Sequence, residues 1–277
     1  EELFEEIRPE IVVVYGDINS TLAAAVTASK LLIAVAHVEA GLRSFDRDMP
    51  EEVNRVVTDA LSSLHFTTSL EAEQHLVNEG VAQEGIHFVG NPMIDTLLRF
   101  RDVLDQEGAR TRLGLPKHYA VATLHRPSNV DAEDTAARVV EGLRRVSSQL
   151  PIVLPLHPRG REVLMSQGLG EVEGLIVQEP IGYLDFMALI SGASLVLTDS
   201  GGIQEETTVL GVPCLTLREN TERPITVTMG TNRLVGNDPD VIDSTAREFL
   251  ASPPRGEVPP LWDGKAGMRI AELLIRP

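Results

Sequence analysis

Thr198-Asp199-Ser200-Gly201-Gly202-Ile203-Gln204-Glu205-Glu206 joins an apolar run, Ala193 to Leu197, to a helical pattern that ends at Gly211-Val212-Pro213. This reads as a strand, a turn of small residues and a helix start. The glycines let a ligand come close to the backbone, and the N–H groups of a helix start point at whatever lies above them. A phosphate is the natural occupant; an empty glycine-lined turn has an equal claim on this pattern alone. Glu206 falls about one and a half turns into the helix. There a carboxylate can accept hydrogen bonds from sugar hydroxyls or simply face solvent.

Carboxylates and cations also cluster after other apolar runs. Asp17, in Gly16-Asp17-Ile18-Asn19-Ser20-Thr21, is placed to cap a helix, the favoured reading, or to face a cleft. Glu39 and Arg43, in His37-Val38-Glu39-Ala40-Gly41-Leu42-Arg43, emerge at the same sheet edge as Asp17. Close carboxylates beside an Arg suit proton transfer, because repulsion and burial move carboxylate pKa values toward neutrality. The plainer alternative is an ion pair that holds a loop, and His37 reads as a satisfied core histidine. Glu51 sits in Met49-Pro50-Glu51-Glu52-Val53-Asn54-Arg55, ordinary helix-start chemistry unless the preceding loop folds over a site. His125-Arg126 and His157-Pro158-Arg159 each follow a strand and suit an anion. Phe186 starts a helix where it can flank a base or join the core. Arg223, in Arg218-Glu219-Asn220-Thr221-Glu222-Arg223-Pro224, suits a diphosphate.

The elements that must position these residues alternate. Strand-like runs at Ile11 to Tyr15, Ile33 to Val38, Leu64 to Thr67 and Ile86 to Val89 are separated by helical patterns at Ile18 to Leu32, Glu51 to Ser62 and Leu70 to Glu79. Asn91-Pro92 breaks the alternation, and a long charged helical stretch follows from Met93 to Leu113. A second set has strands at Tyr119 to Leu124, Ile152 to Leu156, Leu175 to Val177, Leu195 to Thr198 and Cys214 to Leu217, with helices at Asp131 to Gln149 and Gly160 to Gln167. Short apolar strands between helices indicate parallel sheets covered on both faces. The expected fold class is α/β: two Rossmann-like, doubly wound domains facing a cleft, with ligands at the carboxyl ends of the strands. Residues 1–92 form a first domain with too few strands, incomplete at its N-terminus. Residues 93–255 form the second domain, and 256–277 a C-terminal helix that returns to the first.

Composition narrows the function. The 277 residues carry a net charge of −17, which disfavours nucleic acid and anionic membranes as partners. The single cysteine, Cys214, lies in an expected buried strand, where packing is its natural role, and it permits no internal disulfide. No apolar run reaches the roughly 20 residues of a membrane helix, and no signal peptide is visible. No Cys/His or His/carboxylate cluster suggests a metal. There is no Gly-x-Gly-x-x-Gly and no Walker lysine, so nicotinamide cofactors and ATP are not indicated. The chain opens in a helical pattern without an initiator Met, as though inside a longer polypeptide.

In joint order, Gly16-Asp17, Val38-Glu39-Ala40-Gly41-Leu42-Arg43, Pro50-Glu51-Glu52 with Asn54-Arg55, Gly90-Asn91-Pro92, Thr123 with His125-Arg126, His157-Pro158, Asp199-Ser200-Gly201-Gly202 with Gln204-Glu205-Glu206, and Glu222-Arg223-Pro224 resemble the non-hydrolysing UDP-N-acetylglucosamine 2-epimerases nearly end to end. The resemblance implies a GT-B-like fold and a cytoplasmic homodimer that supplies cell-surface polysaccharide precursors. The implied reaction interconverts UDP-GlcNAc and UDP-ManNAc by elimination and re-addition of UDP, without a cofactor. It further implies that Asp17, Glu39 and Glu51 are the acid/base carboxylates and that His125 meets the leaving diphosphate. Ser200, Gly201 and Gly202 then hold the diphosphate, assisted by Arg223; Arg43 joins the UDP contacts, Glu206 takes the ribose and Phe186 borders the uracil. A hydrolysing relative that releases UDP and ManNAc, a glycosyltransferase of the same architecture and a non-catalytic UDP-sugar-binding fragment are the competing readings. The family's N-terminal Gly-Thr-Arg-Pro-Glu segment is absent, so little or no turnover is expected of the 277-residue chain alone.

Overall fold

A computed structural model describes residues 1–275. Its contacts divide into two units. One comprises Glu1–Thr96, Glu222–Ile225 and the chain from Pro259; the other comprises Leu97–Thr221 and Thr226–Val258. Each is built on a parallel sheet, as the α/β reading requires.

The first unit's sheet has four strands in the order β1 (Ile11–Tyr15), β2 (Ala34–Ala40), β3 (Leu64–Thr67) and β4 (Ile86–Phe88). Alternating side chains cover its two faces. Val14 and Val35 pack with Ala25 and Ala28 on one face, while Ala36, Val38 and Phe66 pack with Val89 and Ile270 on the other. Ile270 belongs to the helix Ala266–Leu274. Asp95 tethers the start of that helix, accepting from the Ala266 and Gly267 amides at 3.1 and 2.7 Å. The buried Trp262 indole donates to the Thr68 carbonyl at 2.8 Å. Gly90, at φ +90°, lies so close to the Leu261 carbonyl that a Cβ has no room.

The second unit's sheet has six parallel strands in the order β10 (Asn232–Leu234), β9 (Cys214–Thr216), β8 (Leu195–Thr198), β5 (Ala120–Thr123), β6 (Ile152–Pro155), β7 (Leu175–Gln178). Central strands with no solvent face carry apolar runs, and β8 is buried along its whole length. The chain winds outward in opposite directions from β5 and β8, so the strand order reverses between them. Such a switch point opens a crevice outside the strands' carboxyl ends.

One expected helix is interrupted. The stretch from Met93 to Leu113 splits into Pro92–Phe100 and Gln106–Arg112, because the Asp105 carboxylate accepts from the Gly108 amide at 2.9 Å and starts a new helix. The helix expected from Asp131 to Gln149 runs unbroken over Glu133–Ser147, and a separate short turn, Pro127–Val130, precedes it. Cys214 is fully buried, and burial pushes its thiol up to about 12, so it is an inert core residue. Among the described residues, no helix is long and apolar enough to cross a membrane, and no group of His, Cys, Asp and Glu is arranged to hold a metal.

Candidate functional site

The switch point of the second unit places the loop after β5, which carries His125, beside the turn after β8, which carries Ser200. What joins them is Asp199. Its carboxylate has no solvent exposure and gathers four donors. The His125 imidazole approaches through Nδ1 at 2.8 Å, the His125 and Arg126 amides at 3.1 and 3.0 Å, and Asn129 Nδ2 at 3.2 Å. Burial raises an isolated carboxylate's pKa. Here that tendency is outweighed by His125 and the two amides, and Asp199 is held below the usual range. Asn129 also donates to the Leu217 carbonyl at 2.8 Å, tying the loop to the end of β9.

His125, His157, Phe186, Ser200 and Ile203 line a cavity of about 240 Å³ with Pro180 at its edge. The two imidazole rings lie 6.4 Å apart, centroid to centroid. Phe186 therefore faces an opening rather than a sealed core. The helix Gly201–Leu210 starts at Ser200 with no side-chain cap. The Ser200 amide is already donated to the Thr198 hydroxyl at 3.0 Å, so among the turn's donors those of Gly201 and Gly202 better suit an anion. Glu206 does not line the cavity. It is 2% exposed, accepts a hydrogen bond from Tyr183 at 2.9 Å, and is raised to about 7 by burial against the opposing effect of that bond.

In the first unit, β2 is bulged between Val38 and Ala40, and Glu39 sits at the bulge with φ 70°. A non-glycine residue held there is strained, a cost of order 1–3 kcal/mol that concentrates at functional positions. Its carboxylate reaches Arg223 at 3.7 Å. Burial, with the Asp17 charge nearby, raises the Glu39 pKa despite the opposing Arg223. Asp17 is not a helix cap, which corrects the favoured reading of that residue. Ile18 starts the helix Asn19–Lys30, and the Asp17 carboxylate is bound by Arg55. Arg55 is buried and also pairs with Glu52 at 2.7 Å. Glu52 in turn accepts from the Ser44 and Phe45 amides, each at 2.9 Å, clamping the loop after β2.

Asp17, Glu39 and Arg223 thus share one electrostatic neighbourhood, and His125, Phe186 and Ser200 share one cavity. Glu51 is half-buried in the first turn of the helix Pro50–Leu61. Arg43 departs from the expected nucleotide contact and takes its plainer alternative. Its guanidinium is 1% exposed, 2.7 Å from Asp59 and 2.6 Å from Glu79, so it holds the loop from within. His37 is likewise a core residue, with Nδ1 2.6 Å from Asp59 and Nε2 2.9 Å from the Gly16 carbonyl.

Asp199, Asn129, Glu52 and Tyr183 received no role from the sequence. Asp199 stands in the same motif as Ser200, and an acid between a strand end and a glycine turn was its only signal. Glu52 and Arg55 had a signal in their three-residue spacing on one helical face.

The family model for UDP-N-acetylglucosamine 2-epimerase matches residues 1–275. The chain is similar to the UDP-N-acetylglucosamine 2-epimerase of Methanocaldococcus jannaschii, at 41% identity over 99% of this chain and 77% of that protein. It is equally similar to the UDP-2,3-diacetamido-2,3-dideoxy-D-glucuronate 2-epimerase of Pseudomonas aeruginosa, at 41% identity over 100% of this chain and 77% of the relative. The crystal structure of the M. jannaschii enzyme in complex with UDP-GlcNAc and UDP superposes with a TM-score of 0.91, covering 99% of this chain and 77% of that one.

Proposed function

The chain belongs to the UDP-N-acetylglucosamine 2-epimerase family, and on that premise we propose that it catalyses the reversible, non-hydrolysing interconversion of UDP-GlcNAc and UDP-ManNAc. The diphosphate is taken by the Gly201 and Gly202 amides with Ser200, His125 and Arg223, the ribose by Glu206, and the uracil by the side of Phe186. Asp17, Glu39 and Glu51 are the proton-handling carboxylates. One of them removes the proton from C2 as the C1–oxygen bond to UDP breaks, leaving 2-acetamidoglucal. A proton then returns to C2 from the opposite face, and UDP re-adds at C1. No redox step is involved, and atoms balance without a co-reactant.

The observation that carries this reading is the pair of unlike charge environments. A helix start and an imidazole at a sheet switch point suit a leaving diphosphate. A strained, half-buried glutamate whose pKa is raised suits a base that works near neutral pH. The C2 proton is only weakly acidic and a carboxylate is a modest base for it, so leaving-group stabilisation and proton removal must act together. A cytoplasmic homodimer that feeds cell-surface polysaccharide synthesis belongs to the same reading and rests on the family resemblance.

Incubating the protein with UDP-GlcNAc in D2O tests it. Against the little turnover expected of the 277-residue chain alone, this reading requires both nucleotide sugars to appear with deuterium at C2 and without free UDP accumulating. Free UDP formed in proportion to substrate consumed would make the enzyme hydrolytic, and UDP binding without deuterium uptake would make it a binding protein. The Pseudomonas relative supports a second reading of the sugar, a 3-acetamido uronate. The same assay with that substrate decides between them by relative kcat/KM.

A further inference from the structure

The cavity reading gives His125 a role but leaves open what holds it there. The imidazole is 40% exposed, and a partly exposed ring on a loop is free to turn unless something fixes it. Asp199 has the geometry to do so. Its carboxylate lies behind the ring at 2.8 Å from Nδ1, and both neighbouring backbone amides bind the same group. A carboxylate with three or four donors is fixed in rotamer and in charge. Asn129 completes the arrangement by joining Asp199 to the Leu217 carbonyl.

Resting on the reading of His125 as the diphosphate contact, we propose that Asp199 is a positioning residue, held by Asn129, that keeps the proton of His125 on Nδ1 and presents Nε2 to the cavity. The neutral ring then carries its lone pair on Nε2, and only a protonated ring offers N–H to an anion. A buried carboxylate behind the ring favours that protonated form once a diphosphate arrives. His157, from the loop after β6, has its ring 6.4 Å away, centroid to centroid, and Asp199 is the carboxylate in contact with the His125 ring. Asparagine cannot replace it. An amide has one acceptor oxygen for four donors and turns its own N–H groups toward them.

The wild-type protein supplies the first test. In 15N-labelled protein at high pH, His125 should be in the Nδ1–H form, and a dominant Nε2–H form overturns the proposal. In Asp199→Asn, the Nδ1–H form of His125 should lose its dominance and UDP affinity at pH 7 should fall by about tenfold. An unchanged tautomer balance overturns the proposal. Asn129→Ala, which keeps the charge, should leave the Nδ1–H form dominant and weaken UDP two- to threefold, and it serves if the Asp199 variant does not fold. His125→Ala reports separately on the underlying reading. If it binds UDP as tightly as wild type, His125 is not the anion contact, whereas the tautomer in wild type and in Asp199→Asn still judges the hold of Asp199.

Discussion

In the first unit, Arg55 bridges two carboxylates, Asp17 and Glu52, beside Glu39, which is held in a strained backbone with a raised pKa. In the second, one buried carboxylate, Asp199, is over-supplied with donors and its pKa is depressed. The same functional group is therefore held above its ordinary pKa in one place and below it in the other. Burial acts upward on both. The number of donors decides the outcome, since Glu39 meets Arg223 at 3.7 Å while Asp199 has four partners at 3.2 Å or less. On the proposed reading, the carboxylate that exchanges a proton is the one where hydrogen bonds are scarce.

The sharpest way to break this contrast is Glu39→Gln. Turnover should fall about a thousandfold, within the range for loss of a general base, while UDP affinity by calorimetry stays within twofold. A comparable loss of UDP binding would move Glu39 out of the proton-transfer role. Arg55→Met comes next. It leaves Glu52 and Asp17 without their shared cation and should destabilise the first unit by about 3 kcal/mol in urea. A change under 1 kcal/mol would mean that the carboxylates are not electrostatically dependent on it.

Glu206 sharpens the contrast from the other side. Because the form proposed to accept from the ribose is the carboxylate, UDP affinity should decline as pH falls through about 7, and Glu206→Gln should bind roughly tenfold more weakly with no such dependence. Its linkage to stability has the opposite sign. Between the ordinary glutamate value and about 7 the native state binds more protons than the unfolded chain, so stability falls as pH rises across that window. The Gln variant should lose that slope in thermal melts. The smallest effect belongs to Tyr183→Phe. Losing one donor should move the midpoint of the UDP pH profile upward by a few tenths of a unit and cost about 1 kcal/mol of stability or less.

Much of the architecture was legible because buried parallel strands are short apolar runs. Leu64–Thr67 and Leu195–Thr198 begin and end where the pattern predicts. What escaped was β10, whose polar Asn232 and Arg233 break the apolar signal, and the helix Pro239–Ala251. That helix did have a start signal, Asp238 capping at 2.9 Å ahead of Pro239. At the site, the small-residue turn and the cations were visible because they obey local rules. Partners set by tertiary folding were not: Arg43 meets Glu79 across 36 residues, and His125 meets Asp199 across 74. Spacing along the chain says nothing about such pairs.

The first unit is assembled from both ends of the chain, with Trp262 and Ile270 covering a sheet whose strands end before residue 90. During ribosomal synthesis the second unit lies between those parts. At about 5–20 residues per second the early sheet waits on the order of ten seconds for its covering helix. A nascent sheet with one greasy face bare for that long is a natural client for chaperones. Stop codons or proteolytic cuts in the last twenty or so residues should therefore harm solubility far more than their distance from the chemistry suggests.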